Sequence, residues 1–202
     1  MFTIGLTGGI STGKSAASQI LKDIGALILD ADSYGHMAYK RNSKGYDEVV
    51  RVFGSDMVGK DGEIDRRVLG SVVFGDRSKL SALTSIVWPE IRAALQNKIN
   101  TISDQQPNSV IVLEAAVLLD AGWEDLCDET WVVTATEELV LSRLYEKRGI
   151  PRHIGRARMR AQMSPAERER RADVMIENNG DVQTLKRTLE KVWGNRVSIK
   201  EN

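Results

Sequence analysis

The chain of 202 residues has one cysteine, Cys127, and only two histidines, His36 and His153. A single thiol builds no disulfide framework. The histidines are remote from each other and from any cysteine pair, so neither is expected to hold a metal. No run of 18 apolar residues is present to form a membrane span. The amino terminus enters an apolar strand at once, without the basic and apolar segments of a secretory leader. With the lone thiol, this predicts a reducing, cytoplasmic setting. Net charge is missing too, since 28 basic side chains balance 28 acidic ones. That balance argues against a surface built throughout for nucleic acid, and neither a nucleic-acid nor a membrane partner is expected. What the chain does have is 42% hydrophobic residues, enough for the core of one α/β domain with insertions.

The charge is unevenly spread. Between Arg143 and Arg171 ten basic side chains face three acidic ones, and the remainder of the chain is correspondingly acidic.

The most informative stretch is Gly8 to Ser15, GGISTGKS, which reads G-x-x-x-x-G-K-S. A strand-like run, Phe2 to Thr7, precedes it and a helical pattern, Ser15 to Ile24, follows. Such a loop wraps backbone N–H groups around an anion at the positive end of a helix. Gly8 and Gly13 give backbone freedom, Lys14 reaches the β- and γ-phosphates, and the Ser15 hydroxyl is placed to coordinate Mg²⁺. The bland alternative is an ordinary glycine-rich turn. The flanking strand and helix favour a nucleoside triphosphate site.

Ala26 to Asp32, ALILDAD, reads as a second strand ending in two carboxylates. Ligands of open parallel sheets bind beyond the carboxyl ends of strands, so Asp30 and Asp32 are expected on the side of the phosphate loop. They share a face if the strand runs through Asp32. Either could instead cap the following helix. Residues 33–108 then read as a helical insertion, with patterns over Tyr46 to Phe53 and Lys79 to Ile102, a capped helix start near Asp65, and a break or kink near Val87 marked by Trp88-Pro89. The insertion either holds a second substrate or is an ornament.

Ser109 to Glu114 is a continuous apolar run ending in an acid, as in a buried parallel strand. Glu114 is a candidate to hold Mg²⁺ through water or a structural carboxylate. Trp123 either packs in the core or lines a ligand wall, and Cys127 is expected to be an inert filler. Glu129 to Thr134 forms a fourth strand, with Thr136 as the cap of the next helix. Beyond Gly149 and Pro151 a further helix is expected to present Arg152, Arg156 and Arg160, in series with Arg148. These arginines either form a lid (residues 146–171) that closes on triphosphate or a solvated, salt-bridged face. A fifth strand near Asp173 to Asn178 and a last helix from Val182 complete the pattern. The core is thus 1–32, 109–145 and 172–202.

These motifs resemble the dephospho-coenzyme A kinase family over essentially the whole chain. IGLTGGISTGKS is similar to its loop, LILDAD to its second strand, FGSDMVGKDGEIDRRVLGSVVFGD to its insertion and ADVMIENNGDVQTL to its closing segment. AAVLLDAGW and Trp88-Pro89 look similar to the kinase half of the bifunctional coenzyme A synthase, although no adenylyltransferase half is recognised in these residues. The resemblance implies an α/β, P-loop nucleotide-kinase-like fold: a parallel five-stranded sheet with a helical insertion and a lid. It implies ATP-dependent, Mg²⁺-assisted phosphorylation of the ribose 3′-hydroxyl of dephospho-coenzyme A. It also implies ATP contacts from Gly9, Ser11, Thr12, Gly13, Lys14, Ser15, Ala16 and Arg148, and catalytic roles for Asp32, Lys14 and Arg143. Another small-molecule or nucleoside monophosphate kinase, or a nucleotide-binding regulatory module, are the alternatives. The family commonly carries Gly where this chain has Ser11 and Thr where it has Ala16. Ser11 is therefore expected to shift the loop or weaken ATP binding.

Overall fold

Five strands form one parallel sheet in the computed structural model, which describes residues 1–35 and 37–197; the expectation for His36 lies outside the described residues. The strands are β1 (Phe2–Gly8), β2 (Leu27–Asp30), β3 (Val110–Glu114), β4 (Glu129–Thr134) and β5 (Val174–Glu177), in the order β2-β3-β1-β4-β5. β1 lies in the middle and is buried along its whole length, which is why its sequence shows no polar alternation. β5, at an edge, alternates buried and exposed residues. The helices outside the segment 31–100 are α1 (Lys14–Asp23), α6 (Glu137–Arg148), α7 (Arg152–Arg160), α8 (Pro165–Arg170) and α9 (Val182–Arg196), and that segment carries α2 (Ala31–Tyr34), α3 (Lys44–Phe53) and α4 (Arg66–Val73) before the long α5 (Arg77–Gln105).

On one face of the sheet, Ile4, Leu6, Val112, Trp131, Val133 and Ile176 pack against Ile20 and Leu21 of α1 and Leu185 and Leu189 of α9. Each of the larger side chains contributes about 1.5–3 kcal/mol of burial, and together they fix α1 behind β1. The opposite face is close-packed around Gly5. A Cβ there would sit 2.9 Å from Cys127 Sγ and 3.0 Å from Leu118 Cδ1, so the glycine makes room for the segment after β3. Trp123 is 2% exposed and belongs to the core. Burial, with Asp128, Asp125 and Glu124 nearby, pushes the Cys127 thiol up to about 12, which leaves it the inert filler expected.

The chain divides into two compact units, Met1–Asp30 with Thr101–Asn202, and Ala31–Asn100. The second has its own core of Val49, Met57, Ile64, Leu69 and Val73. Its helices start where the sequence supplies caps. Ser43 accepts from the Tyr46 N–H ahead of α3, and Asp65 accepts from the Arg67 and Val68 N–H groups at 2.9 and 3.1 Å ahead of α4. A turn at Gly62, with φ of 80°, joins the antiparallel bridge between Val58 and Ile64.

Two expectations are corrected here. Of the break or kink expected near Val87, the break does not occur, because α5 runs unbroken through Pro89. Val87, Ile91, Leu95 and Ile99 are all buried, a stripe at fourfold spacing on both sides of the proline, and its packing outweighs the single backbone hydrogen bond that proline removes. Nor does the second strand reach Asp32. β2 ends at Asp30, and the backbone turns directly into α2, with Asp32 in its first turn. The shared-face argument for the two carboxylates therefore fails, since the twofold period stops between them.

Candidate functional site: the phosphate loop and its surroundings

Gly13, with φ of 105° and ψ of 20°, is the residue from which α1 starts, and no side chain caps that start. The first turns of α3, α4, α5, α8 and α9 are capped by Ser43, Asp65, Asp76, Ser164 and Asp181, whereas α6 and α7, like α1, make no side-chain cap bond; α1 differs from those two in starting from a left-handed glycine. The first turn of α1 also has no acidic residue. Its leading N–H groups and the positive end of the helix dipole are thus left for an anion. The loop is braced internally: Thr12 donates from Oγ1 to the Gly9 carbonyl at 2.9 Å and from its N–H to the same oxygen at 3.3 Å. Ser11 takes φ of 55°. The serine thus sits in the left-handed backbone region that favours glycine, at a strain cost of roughly 1–2 kcal/mol.

The charge the loop would offer a phosphate is held by β3. Lys14 Nζ lies 2.7 Å from Glu114 Oε1, with both side chains mostly buried. Ser15 Oγ is 3.5 Å from the same oxygen. Burial raises the Glu114 carboxyl, but the hydrogen bonds from Lys14, Ser18 and Ser15 together outweigh it and hold the group below its ordinary value. Asp30 is the register partner of Glu114 on the neighbouring strand. Among the described residues no cluster of three or more His, Cys, Asp or Glu side chains could hold a metal by itself. Ser15 and Glu114 are hard oxygen donors that suit Mg²⁺, an ion that takes the rest of its ligands from phosphates and water.

The arginines of residues 143–171 divide by partner. Arg152 pairs with Glu138, and Arg156 Nε donates to Glu137 Oε1 at 2.8 Å; these two stitch α7 to the first turn of α6. Arg171 pairs with Glu124. Arg148 is exposed at the end of α6. Arg143 reaches under the loop, donating from Nη1 to the Thr12 carbonyl at 3.2 Å and from Nη2 to the Asn178 carbonyl at 3.0 Å. Arg168 is half-buried, and burial lowers its guanidinium despite the attraction of Asp120. Its Nη1 stands 3.2 Å from where a Gly9 Cβ would be. Arg160 and Arg168 line a cavity of about 410 Å³ with Gly9, Ile10 and Thr12 of the loop and Thr134 of β4.

Three contributors were not singled out from the sequence. Gln162 accepts the Ile10 N–H at 2.9 Å, Arg168 overlies Gly9, and Asn178 donates from Nδ2 to the Thr12 carbonyl at 2.8 Å. Arg168 was visible only as part of the basic count, and Asn178 only as part of the fifth strand. Thr136 does precede α6 as expected, but its hydroxyl makes no cap bond; its N–H donates instead to Asn179 Oδ1 at 2.9 Å.

A parallel sheet whose central strand runs through such a loop into an uncapped helix, with a lysine at the first helical position and an acid at the end of the adjacent strand, defines a P-loop phosphotransferase fold. The family model described as dephospho-CoA kinase matches residues 2–184, and the chain belongs to that family. A dephospho-CoA kinase from Carboxydothermus hydrogenoformans is 39% identical over 186 residues, covering 92% of this chain and 90% of the relative. The crystal structure of TT1252 from Thermus thermophilus, 33% identical, superposes with a TM-score of 0.77 over 96% of this chain and 97% of that one. A dephospho-CoA kinase structure from Campylobacter jejuni, 22% identical, shares the fold with a TM-score of 0.74 and 98% coverage of both chains.

Because the loop already holds its turn with serine at position 11, Ser11→Gly should relieve strain against a smaller entropic loss in the unfolded chain. The expected net gain is at most about 1 kcal/mol, with ATP affinity changed by less than about threefold. Denaturant titration and calorimetry measure both, and a tenfold tightening of ATP would instead mean that Ser11 distorts the site. Glu114 generates a second expectation. Its folded-state carboxyl lies below the ordinary value of 4.5, so the stabilisation is present above that value and is lost as pH falls through the folded one. Unfolding midpoints measured against pH should drop more steeply in acid for the wild type than for Glu114→Gln; parallel curves would contradict the assignment.

Proposed function

We propose that this chain transfers the γ-phosphoryl group of ATP to the ribose 3′-hydroxyl of dephospho-coenzyme A, giving coenzyme A and ADP. The observation that carries the reading is the uncapped start of α1 beside Lys14, in a chain of the dephospho-CoA kinase family. The N–H groups of Ser11 to Ala16 would surround the phosphates, with Gly9 at the rim of the loop. Lys14 would leave Glu114 to neutralise the transferring group. Arg168 and Arg160, facing the cavity beside the loop, are the guanidinium groups best disposed to meet phosphate oxygens, with Arg148 joining them if residues 146–171 close as a lid. The pairing of Arg152 and Arg156 with Glu138 and Glu137 favours a structural role for those two.

Mg²⁺ would supply charge neutralisation to the transferring phosphoryl group; Ser15 Oγ, and Glu114 through water, would hold it. The acceptor would be bound by residues 33–108. Asp32, two residues beyond β2, would orient the 3′-hydroxyl and take its proton as the new P–O bond forms and the bond to ADP breaks. A cytoplasmic location agrees with this chemistry, and no helix among the described residues is long and apolar enough to cross a membrane.

Incubation with ATP, Mg²⁺ and dephospho-coenzyme A, followed by mass spectrometry, should show a product heavier by one phosphoryl group, with nucleosides and their monophosphates unmodified. Lys14→Met should lower kcat/KM by roughly 10²-fold, about 3 kcal/mol, in a folded protein. Turnover of a nucleoside monophosphate but not of dephospho-coenzyme A would sink the acceptor assignment. For the general base, Asp32→Asn should lower kcat by roughly 10²–10⁴-fold with ATP binding little changed, and Asp30→Asn should be milder. A larger loss at Asp30, read by coupled assay and calorimetry, would reverse the two roles.

A further inference from the structure

The carbonyl of Thr12 accepts two side-chain donors, Asn178 Nδ2 at 2.8 Å and Arg143 Nη1 at 3.2 Å. The same guanidinium donates from Nη2 to the backbone carbonyl of Asn178 at 3.0 Å, which closes a triangle beneath the loop. Asn178 is itself fixed. It is 6% exposed, it follows β5 directly, and its N–H donates to the Thr134 carbonyl at 2.8 Å. Only the amide nitrogen of this side chain can satisfy a carbonyl, so the contact also sets the rotation of the Asn178 amide.

The consequence is geometric. No peptide bond among the described residues is cis, and in a trans peptide the C=O and the following N–H point in opposite directions. Two donors that hold the Thr12 carbonyl toward the protein therefore aim the Gly13 N–H outward, into the concavity of the loop. The same amide nitrogen confines Gly13: a Cβ on it would lie 2.1 Å from Asn178 Nδ2, and its φ of 105° favours glycine. We propose that Asn178, with Arg143, is a positioning residue for phosphoryl transfer, which acts through the Thr12–Gly13 peptide to hold the Gly13 N–H ready for a phosphate oxygen. Neither side chain needs to touch the nucleotide for this. A peptide free to rotate would present the Thr12 carbonyl, an acceptor, to the anion instead. The role differs from plain support of the fold because it predicts a defect at one amide, and because the charge of Arg143 beneath the loop adds to the field that the anion meets.

This inference rests on the phosphoryl-transfer reading above, and its test separates the two. The amide resonances of Gly13 and Ser15 are followed by ¹⁵N–¹H NMR as the nonhydrolysable ATP analogue AMP-PNP is added with Mg²⁺, alongside steady-state kinetics and thermal melting. In the wild type both amides should move downfield; if neither moves, the phosphate-loop reading fails whatever Asn178 does. In Asn178→Ala the Gly13 shift should disappear while that of Ser15 persists, with kcat/KM for ATP lowered at least tenfold. Asn178→Asp, the same shape with a carboxylate in place of the donor, should be worse than alanine, an order a purely steric support would not give. Should the Asn178 variants fail to fold, Arg143→Gln carries the test by the same Gly13 signature in weaker form. A Gly13 shift that survives in a folded Asn178→Ala or in Arg143→Gln, with kcat/KM within twofold of wild type, overturns the proposal.

Discussion

Everything at this site depends on α1 beginning without a cap. Helices commonly satisfy their first N–H groups with a serine or aspartate side chain, as α3, α4, α5, α8 and α9 do among the described residues. At α1 the preceding residue is a left-handed glycine with no side chain to offer, and the cost of the unsatisfied donors is left to be recovered from a ligand. Glu114 is bonded by Lys14, Ser15 and Ser18, so it neutralises the lysine without capping the helix.

Much of the sheet was legible because buried parallel strands have a simple signature. VIVLE and ETWVVT are near-continuous apolar runs bounded by turns, and both became strands at those positions. Caps were legible for the same local reason, since Asp65 sits directly before the apolar pattern it serves. The errors arose where packing at long range competed with a local rule. Pro89 is a helix breaker in isolation, yet it sits inside α5 because buried residues on both sides of it form one stripe. LILDAD looks like one strand, but its last two residues are helical, and no periodicity within six residues could separate those outcomes.

The loop itself could be read from eight residues, but not what braces it. Arg143, Gln162 and Asn178 bond loop atoms from 131, 152 and 166 residues away, and no spacing rule connects positions so far apart. The basic segment likewise had two readings that composition could not separate. The acids that pair with Arg152 and Arg156 are Glu138 and Glu137, which in the sequence are more simply explained as partners of their own helix dipole.

The separation of 166 positions from Thr12 to Asn178 also measures time. A ribosome adds roughly 5–20 residues each second, so the loop emerges roughly 10–30 s before the side chain that orients its central peptide. β1, too, must wait for β3 and β4, its neighbours on either side. For most of its synthesis the nascent chain has the residues of the phosphate loop without the brace that shapes them. High-affinity nucleotide binding should therefore appear late, when β5 docks, and a chain truncated just before Asn178 would display the motif in full without its organised form.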